Sequence, residues 1–330
     1  MRAGTILLLL TLAAGAADRT LELRGQIEPA PGKASVTIDA TFGSFTASTI
    51  SDARGRFKFK KLEPGPYSVT VFIAGAGVSR RTVEVTPSLA DPEGRVHAVI
   101  PFNPTPVSAG RLAARRNTVS VGDLSIPDRA KREYDEAQQK LGGNDVEAAV
   151  RHLERAVEIA PGYMMAWNNL GTIAYHARKF EEAETYFRKA LEARPGAFPP
   201  AVNLGGVLLY TGKHEEALKF NKYAVETRPR DALANSQLGM TYFLLKQDDE
   251  ALKYLNAARE LDPSHFSNPQ LLMAEIYIRR RDRVLAIKEL KEFLALHPDS
   301  SEAPKVRGFL DRLMNPPRPA TQAATPTPAP

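Results

Sequence analysis

The residues able to do chemistry are scattered along this 330-residue chain, and none of them combine into a catalytic set. Histidines stand apart at His97, His152, His176, His214, His265 and His297, with no His-x-x-Glu or His-Glu-x-x-His pair to hold a catalytic zinc. There is no cysteine, which excludes thiol catalysis, Cys-ligated zinc, a disulfide framework and the lipid-bearing cysteine of a lipoprotein. Gly-x-Ser-x-Gly is absent, and Gly75-Ala76-Gly77 lacks both the third glycine and the following helix of a nucleotide loop. The acidic pairs Glu181-Glu182 and Glu215-Glu216 stand where helices begin and carboxylates offset the helix dipole. We therefore expect no enzyme, no metal and no cofactor. What does recur is the amide: Asn169, Asn203 and Gln237 follow one another at 34 residues. A side-chain amide both donates and accepts, so it can grip main chain without reading sequence. That chemistry is recognition.

The elements that carry the amides are set by prolines. Pro161, Pro195, Pro229, Pro263 and Pro298 are spaced by 34, 34, 34 and 35 residues, and Ala149, Ala183, Ala217, Ala251 and Ala286 each precede one of them by 12. A fixed period of this length means a stacked repeat. Between each alanine and its proline the apolar residues recur at helical spacing, as in Ala183, Phe187, Ala190 and Leu191, and the proline stops the helix. The first half of each unit supplies a second helix: Trp167, Leu170, Gly171, Tyr175, then Ala201, Leu204, Gly205, Leu208, then Asn235, Leu238, Gly239, Tyr242. A mid-helix glycine costs about 1 kcal/mol relative to alanine. Its return at one phase predicts close helix contact.

Large-x-x-Leu-Gly followed by Ala, a bulky residue, Ala and Pro at these offsets resembles the tetratricopeptide repeat (TPR) family over about residues 130–314. Five units are expected. The first has Ala137 in place of the glycine, the third carries Asn221 at an apolar position, and the fifth has one extra residue near Phe266. The resemblance implies a superhelix whose inner wall is lined by the first helix of each unit. That frame places Asn169, Asn203 and Gln237 inward, with Tyr175, Tyr210, Met240 and Phe243 on or near the same wall. The amides would either hold a partner's main chain or bond within their own array, and the aromatic residues would be either anchors or core. The family's carboxylate clamp cannot be carried over, because Asn168, Val202 and Ser236 precede the amides. Arg279, Arg280, Arg281 and Arg283 crowd the last turn, as a solvated hairpin or an anionic docking patch.

From Thr20 to Phe102 the period changes to two, in Leu21, Leu23, Ile27, then Phe57, Phe59, then Tyr67, Val69, Val71, Ile73. Turn signals intervene at Pro31-Gly32, Asp52 to Gly55, Pro64-Gly65-Pro66 and Asp91 to Gly94. About seven short strands read as a β-sandwich. Ser51-Asp52-Ala53-Arg54-Gly55-Arg56-Phe57, followed by Leu62-Glu63-Pro64-Gly65-Pro66-Tyr67, is similar to the carboxypeptidase regulatory-like domain. Arg54, Arg56, Lys58, Lys60 and Lys61 alternate with Phe57 and Phe59 along one strand, either as a solvated outer face or as a basic stripe for an anionic envelope polymer.

The expected order is a signal peptide at 1–17, a β-sandwich at 18–102, a linker at 103–127, a solenoid with capping helix at 128–314 and a disordered Pro/Ala/Thr tail at 315–330. The apolar run Ile6 to Ala17 behind Arg2 is too short to span a bilayer and ends in small residues, as a cleaved secretory signal does. The linker leads us to expect domains that are not rigidly docked. A net charge of +6 without a long basic block argues against nucleic acid. These features together predict an exported, periplasmic or secreted adaptor that binds protein or extended peptide. The alternatives are an envelope glycan-binding module displayed by the solenoid, and an accessory subunit of a peptidase or secretion machine.

Overall fold

The computed structural model describes residues 20–30, 32–40, 46–73, 76–102, 126–143 and 145–315. The signal segment, most of the linker and all but Asn315 of the tail lie outside them.

Alternating apolar residues build seven strands: β1 (Leu21–Glu28), β2 (Ser35–Ala40), β3 (Thr46–Ile50), β4 (Arg56–Leu62), β5 (Gly65–Ile73), β6 (Gly77–Val85) and β7 (Arg95–Pro101). They form two sheets, β4-β1-β7 and β3-β2-β5-β6, in which only β1 and β7 run parallel. Leu23, Ile27, Val36, Ile38, Leu62, Val69, Val71 and Ile100 meet between the sheets as a dry core. Two turns share one construction. The Asp52 carboxylate accepts the backbone N–H groups of Arg54 and Arg56, and that of Asp91 accepts those of Glu93 and Arg95. Gly55 and Gly94 close these turns at φ of 78° and 77°, which only glycine adopts without strain.

Five helical hairpins follow: α1 (Asp128–Gly142) with α2 (Val146–Ile159), α3 (Met164–His176) with α4 (Phe180–Ala193), α5 (Phe198–Tyr210) with α6 (His214–Thr227), α7 (Ala232–Leu244) with α8 (Asp248–Leu261), and α9 (Pro269–Arg279) with α10 (Arg283–Leu296). The α11 helix (Ala303–Met314) covers the last hairpin with Val306, Phe309, Leu310 and Leu313. The repeated glycines are contact points. A Cβ on Gly171 would lie 2.6 Å from the Phe187 ring, and one on Gly239 would lie 2.8 Å from Leu255. At Gly205 the opposing side chain is Asn221, fully buried, whose amide donates to Thr241 Oγ1 at 2.9 Å while its Oδ1 has no partner.

The two domains are docked, which corrects the expectation of loose tethering. The Thr82 N–H on edge strand β6 donates to Asp262 Oδ2 at 3.0 Å, and Arg81 donates to the Leu261 carbonyl at 3.1 Å. His297 Nδ1 pairs with Glu84 Oε1 at 3.0 Å, and both the N–H and the hydroxyl of Ser88 bond Asp299. An edge strand presents unpaired backbone groups, and here the solenoid supplies an acceptor for one of them, the Thr82 N–H. The signal was in the repeat itself. The residue before the ladder proline is Ala160, Arg194 and Arg228 in three units, but Asp262 and His297 in the two that touch the sandwich. Burial pushes the Asp262 carboxyl up and pulls His265, beside this interface, down to about 3, so that His265 is neutral at any physiological pH.

Two outcomes follow from this packing. Asn221→Leu, nearly isosteric, removes an orphaned buried oxygen and adds apolar burial, while Thr241 keeps its own bond to the Gln237 carbonyl. It should stabilise the chain by about 1–2 kcal/mol, read as a raised denaturant midpoint. Asp262→Ala combined with His297→Ala should free β6 at a cost of about 1–3 kcal/mol for each buried partner lost. Small-angle scattering should then report a larger radius of gyration, and an unchanged profile would count against docking through these contacts.

Candidate recognition wall

Three of the first helices, α3, α5 and α7, contain no Lys, Arg, Asp or Glu. The packing supplies the reason. First helices of successive hairpins touch one another directly, α3 with α5, α5 with α7 and α7 with α9, whereas the second helices make no comparable contact. The row that lies closer together is on the inside of the curve. Each such helix is covered by its own partner and by the second helix of the preceding hairpin, and it touches the neighbouring first helices as well, which leaves a narrow stripe open. A helix so enclosed is apolar almost all round.

The predicted amides lie on these first helices, and two of them already donate a hydrogen bond within the array. Asn169 Nδ2 donates to Tyr134 Oη at 3.3 Å, one hairpin back. Asn203 Nδ2 donates to Asn168 Oδ1 at 3.1 Å. Gln237 lays its Nε2 over Gly206, where a Cβ would approach it to 2.5 Å, and its Oε1 is buried without a partner. These amides tie one first helix to the next.

The aromatic candidates divide. Tyr175, Phe180 and Tyr210 form one cluster, with Phe180 stacked on Tyr210 at 4.8 Å and Tyr175 set edgewise to Tyr210 at 5.6 Å. Burial, then the Tyr210 hydroxyl, pushes the Tyr175 hydroxyl far above its ordinary value, so it stays protonated. Tyr210 itself is 45% exposed. Met165, on α3, is 41% exposed and was not among the sequence candidates. Its sign was a methionine one helical turn before Asn169. Met240 is half-buried between two clusters. Phe243 is buried beneath the Arg279 guanidinium, 4.5 Å from its ring, and so belongs to the packing and not to the open stripe. Arg279 and Arg280 pair with Asp248 and Asp249, and Arg283 donates to the Met314 carbonyl, which makes the arginine-rich turn largely a structural network.

Among the described residues no group of three or more His, Asp or Glu side chains is close enough to hold a metal ion, and no helix is long and apolar enough to cross a membrane.

Models of the tetratricopeptide repeat match residues 134–198, 208–276 and 270–300, and the model of the carboxypeptidase regulatory-like domain matches residues 24–94. No curated protein matches the chain. Among solved structures, PilW, a widely conserved type IV pilus biogenesis factor, is 18% identical over 56% of this chain and 86% of its own, with a TM-score of 0.50. MamA from Desulfovibrio magneticus RS-1 is 23% identical over 54% of this chain and 99% of its own, with a TM-score of 0.48. YrrB, described as a TPR protein with an unusual peptide-binding site, is 24% identical over 58% of this chain and 100% of its own, with a TM-score of 0.47. The glycine contacts, the proline-ended second helices and the seven-strand sandwich agree with the family matches, and the chain is a tetratricopeptide repeat protein bearing an amino-terminal carboxypeptidase regulatory-like domain.

Proposed function

We propose that this protein is a non-catalytic scaffold that holds an extended, largely uncharged stretch of a partner polypeptide against the inner wall of its solenoid. The observation that carries the reading is the exposure of Met165 and Tyr210 on first helices that bear no charge. A charged ligand would leave its charge unmatched on such a wall, and desolvating an unpaired charge is costly. An apolar side chain gains about 1.5–3 kcal/mol when fully buried. Two such anchors give roughly 3–6 kcal/mol, in the millimolar range or somewhat tighter, and main-chain bonds to the remaining polar atoms of the wall would add to it. Asn169 and Asn203 contribute mainly by fixing the spacing of the helices, because each donates a bond to the neighbouring hairpin.

The scaffold works outside the cytoplasm in this proposal. Its support is the apolar run behind Arg2 that ends in Ala14, Gly15, Ala16 and Ala17. Mass spectrometry of the mature chain should find an amino terminus near Asp18, and an intact Met1 in exported material would refute cleavage.

The groove is tested with peptides selected from a random display library on the full chain. Tyr210→Ala and Met165→Ala should each weaken the selected peptides about tenfold. Asn203→Ala should instead lower stability by about 1 kcal/mol, through loss of its bond to Asn168, and leave peptide affinity within about twofold. Equal binding by the Tyr210→Ala, Met165→Ala double variant would place the ligand elsewhere.

A further inference from the structure

The β-sandwich breaks a packing rule on the face turned away from its docked edge. Strand register sets Lys58 and His97 directly opposite Arg24, one on each side, so three basic side chains stand in one row across β4, β1 and β7. Like charges directly opposed in a sheet are destabilising. The rows beside it do not share the fault. Lys60 and Arg95 have Glu22 between them, and Gln26 separates Arg56 from Val99. The fold answers two of the three, with Glu22 paired to Arg24 at 2.6 Å and Asp91 to His97 at 3.3 Å, so that among the described residues Lys58, and Lys33 beside the row, are the cations left without an acidic partner.

The row lies in an open trough of about 1030 Å³. Lys33 and Arg56 line it as well, and so do Ile50 and Val99, which are 70% and 58% exposed. Among its described lining residues Asp52 is the one acid, and that group is committed, while Glu22 and Asp91 reach Arg24 and His97 from outside the lining. The Arg56 backbone N–H holds Asp52 below the usual carboxylate range with help from the Arg56 guanidinium, which donates to Oδ2 at 2.8 Å. The trough therefore presents an excess of positive charge beside two bare aliphatic side chains. None of the trough's lining residues is among Arg81, Thr82, Glu84 and Ser88, through which the solenoid holds the sandwich.

We propose that this trough binds a short acidic segment of a partner protein, in extended form, with aliphatic residues flanking its carboxylates. Charge complementarity selects the acid and the exposed Ile50 and Val99 select the flanks. Three strands at about 4.8 Å spacing make a floor roughly 10 Å across, which about three residues of extended chain would cross. Among the described residues the lining offers no exposed aromatic ring on which a sugar could stack, and its concave shape does not suit a flat bilayer. The proposal stands independently of the groove in the solenoid.

The probe is a fluorescein-labelled acetyl-Leu-Glu-Asp-Glu-Leu peptide, titrated by anisotropy against the full chain. Three comparisons accompany it: the same peptide with lysine and arginine at its acidic positions, a tetrasaccharide of uronic acid, and phosphatidylglycerol vesicles. The acidic peptide should bind, with an affinity that falls as salt rises. The Arg24→Gln, Lys58→Gln double variant should weaken it about tenfold and flatten the salt dependence, and Val99→Ser should weaken it several-fold. The exposed Arg24–Glu22 pair contributes little to stability, so the melting temperature of the double variant should stay within a few degrees of the parent's and its loss of binding cannot be laid to misfolding. Undiminished binding by the double variant overturns the proposal. So does uptake of the tetrasaccharide or the vesicles in preference to the acidic peptide.

Discussion

The solenoid depends on how closely two helices of one hairpin can approach. With Gly171 against Phe187 and Gly239 against Leu255, there is no room for a methyl group, and the opposing side chain sits on the backbone of the first helix. Such closeness commits one whole side of that helix to its partner. The second helix of the preceding hairpin and the neighbouring first helices take other sides, and only residues able to be buried in several directions can occupy the element. The absence of charge from α3, α5 and α7 is thus a consequence of packing before it is a property of any binding surface. A neutral wall is what such an array exposes, and whatever lies on it must be recognised by shape, apolar contact and main-chain bonds.

Asn221 shows how much departure this contact tolerates. It stands where Phe187 and Leu255 stand in the adjoining units, and Gly205 still receives it. An amide in a dry seat must find partners, and it finds one in Thr241, across to the next first helix, while its oxygen finds none. The array accepts the cost because each repeat is braced by two others, so a weak unit in the middle is held by its neighbours. The same substitution in a terminal unit would lack that support on one side.

Much of the fold was legible because its determinants are local. Prolines end helices, glycines mark close approach, and alternation marks strands, each within a window shorter than one element. The number of hairpins, the capping helix and the seven strands follow from such marks. The placement of the amides on first helices followed from the repeat frame, but their bonding did not. Whether Asn203 meets a guest or Asn168 depends on the distance between consecutive helices, which no spacing in the sequence encodes. The docking of the domains was harder still, since Thr82 and Asp262 are 180 residues apart. Its trace was a substitution pattern: the residue before the ladder proline changes character in the two units that touch β6. The basic row was visible as a composition bias along β4, but its conflict with Arg24 and His97 appears only once strand register is known.

Docking also decides what the sandwich can do. An isolated sheet of this kind has an open edge at β6, a template for pairing with any free strand. With Asp262 accepting from Thr82 and His297 paired with Glu84, that edge is turned to intramolecular use. The two surfaces proposed for recognition are then the opposite sheet, where charge would decide, and the solenoid wall, where it would not. Two surfaces of contrasting chemistry on one docked unit cannot compete for the same segment. A polypeptide that carries an acidic stretch and an apolar stretch could engage both, its second contact becoming intramolecular once the first is made. The gain then depends on the distance between the surfaces being fixed. The contacts at Asp262 and His297 fix it, and a flexible tether would not.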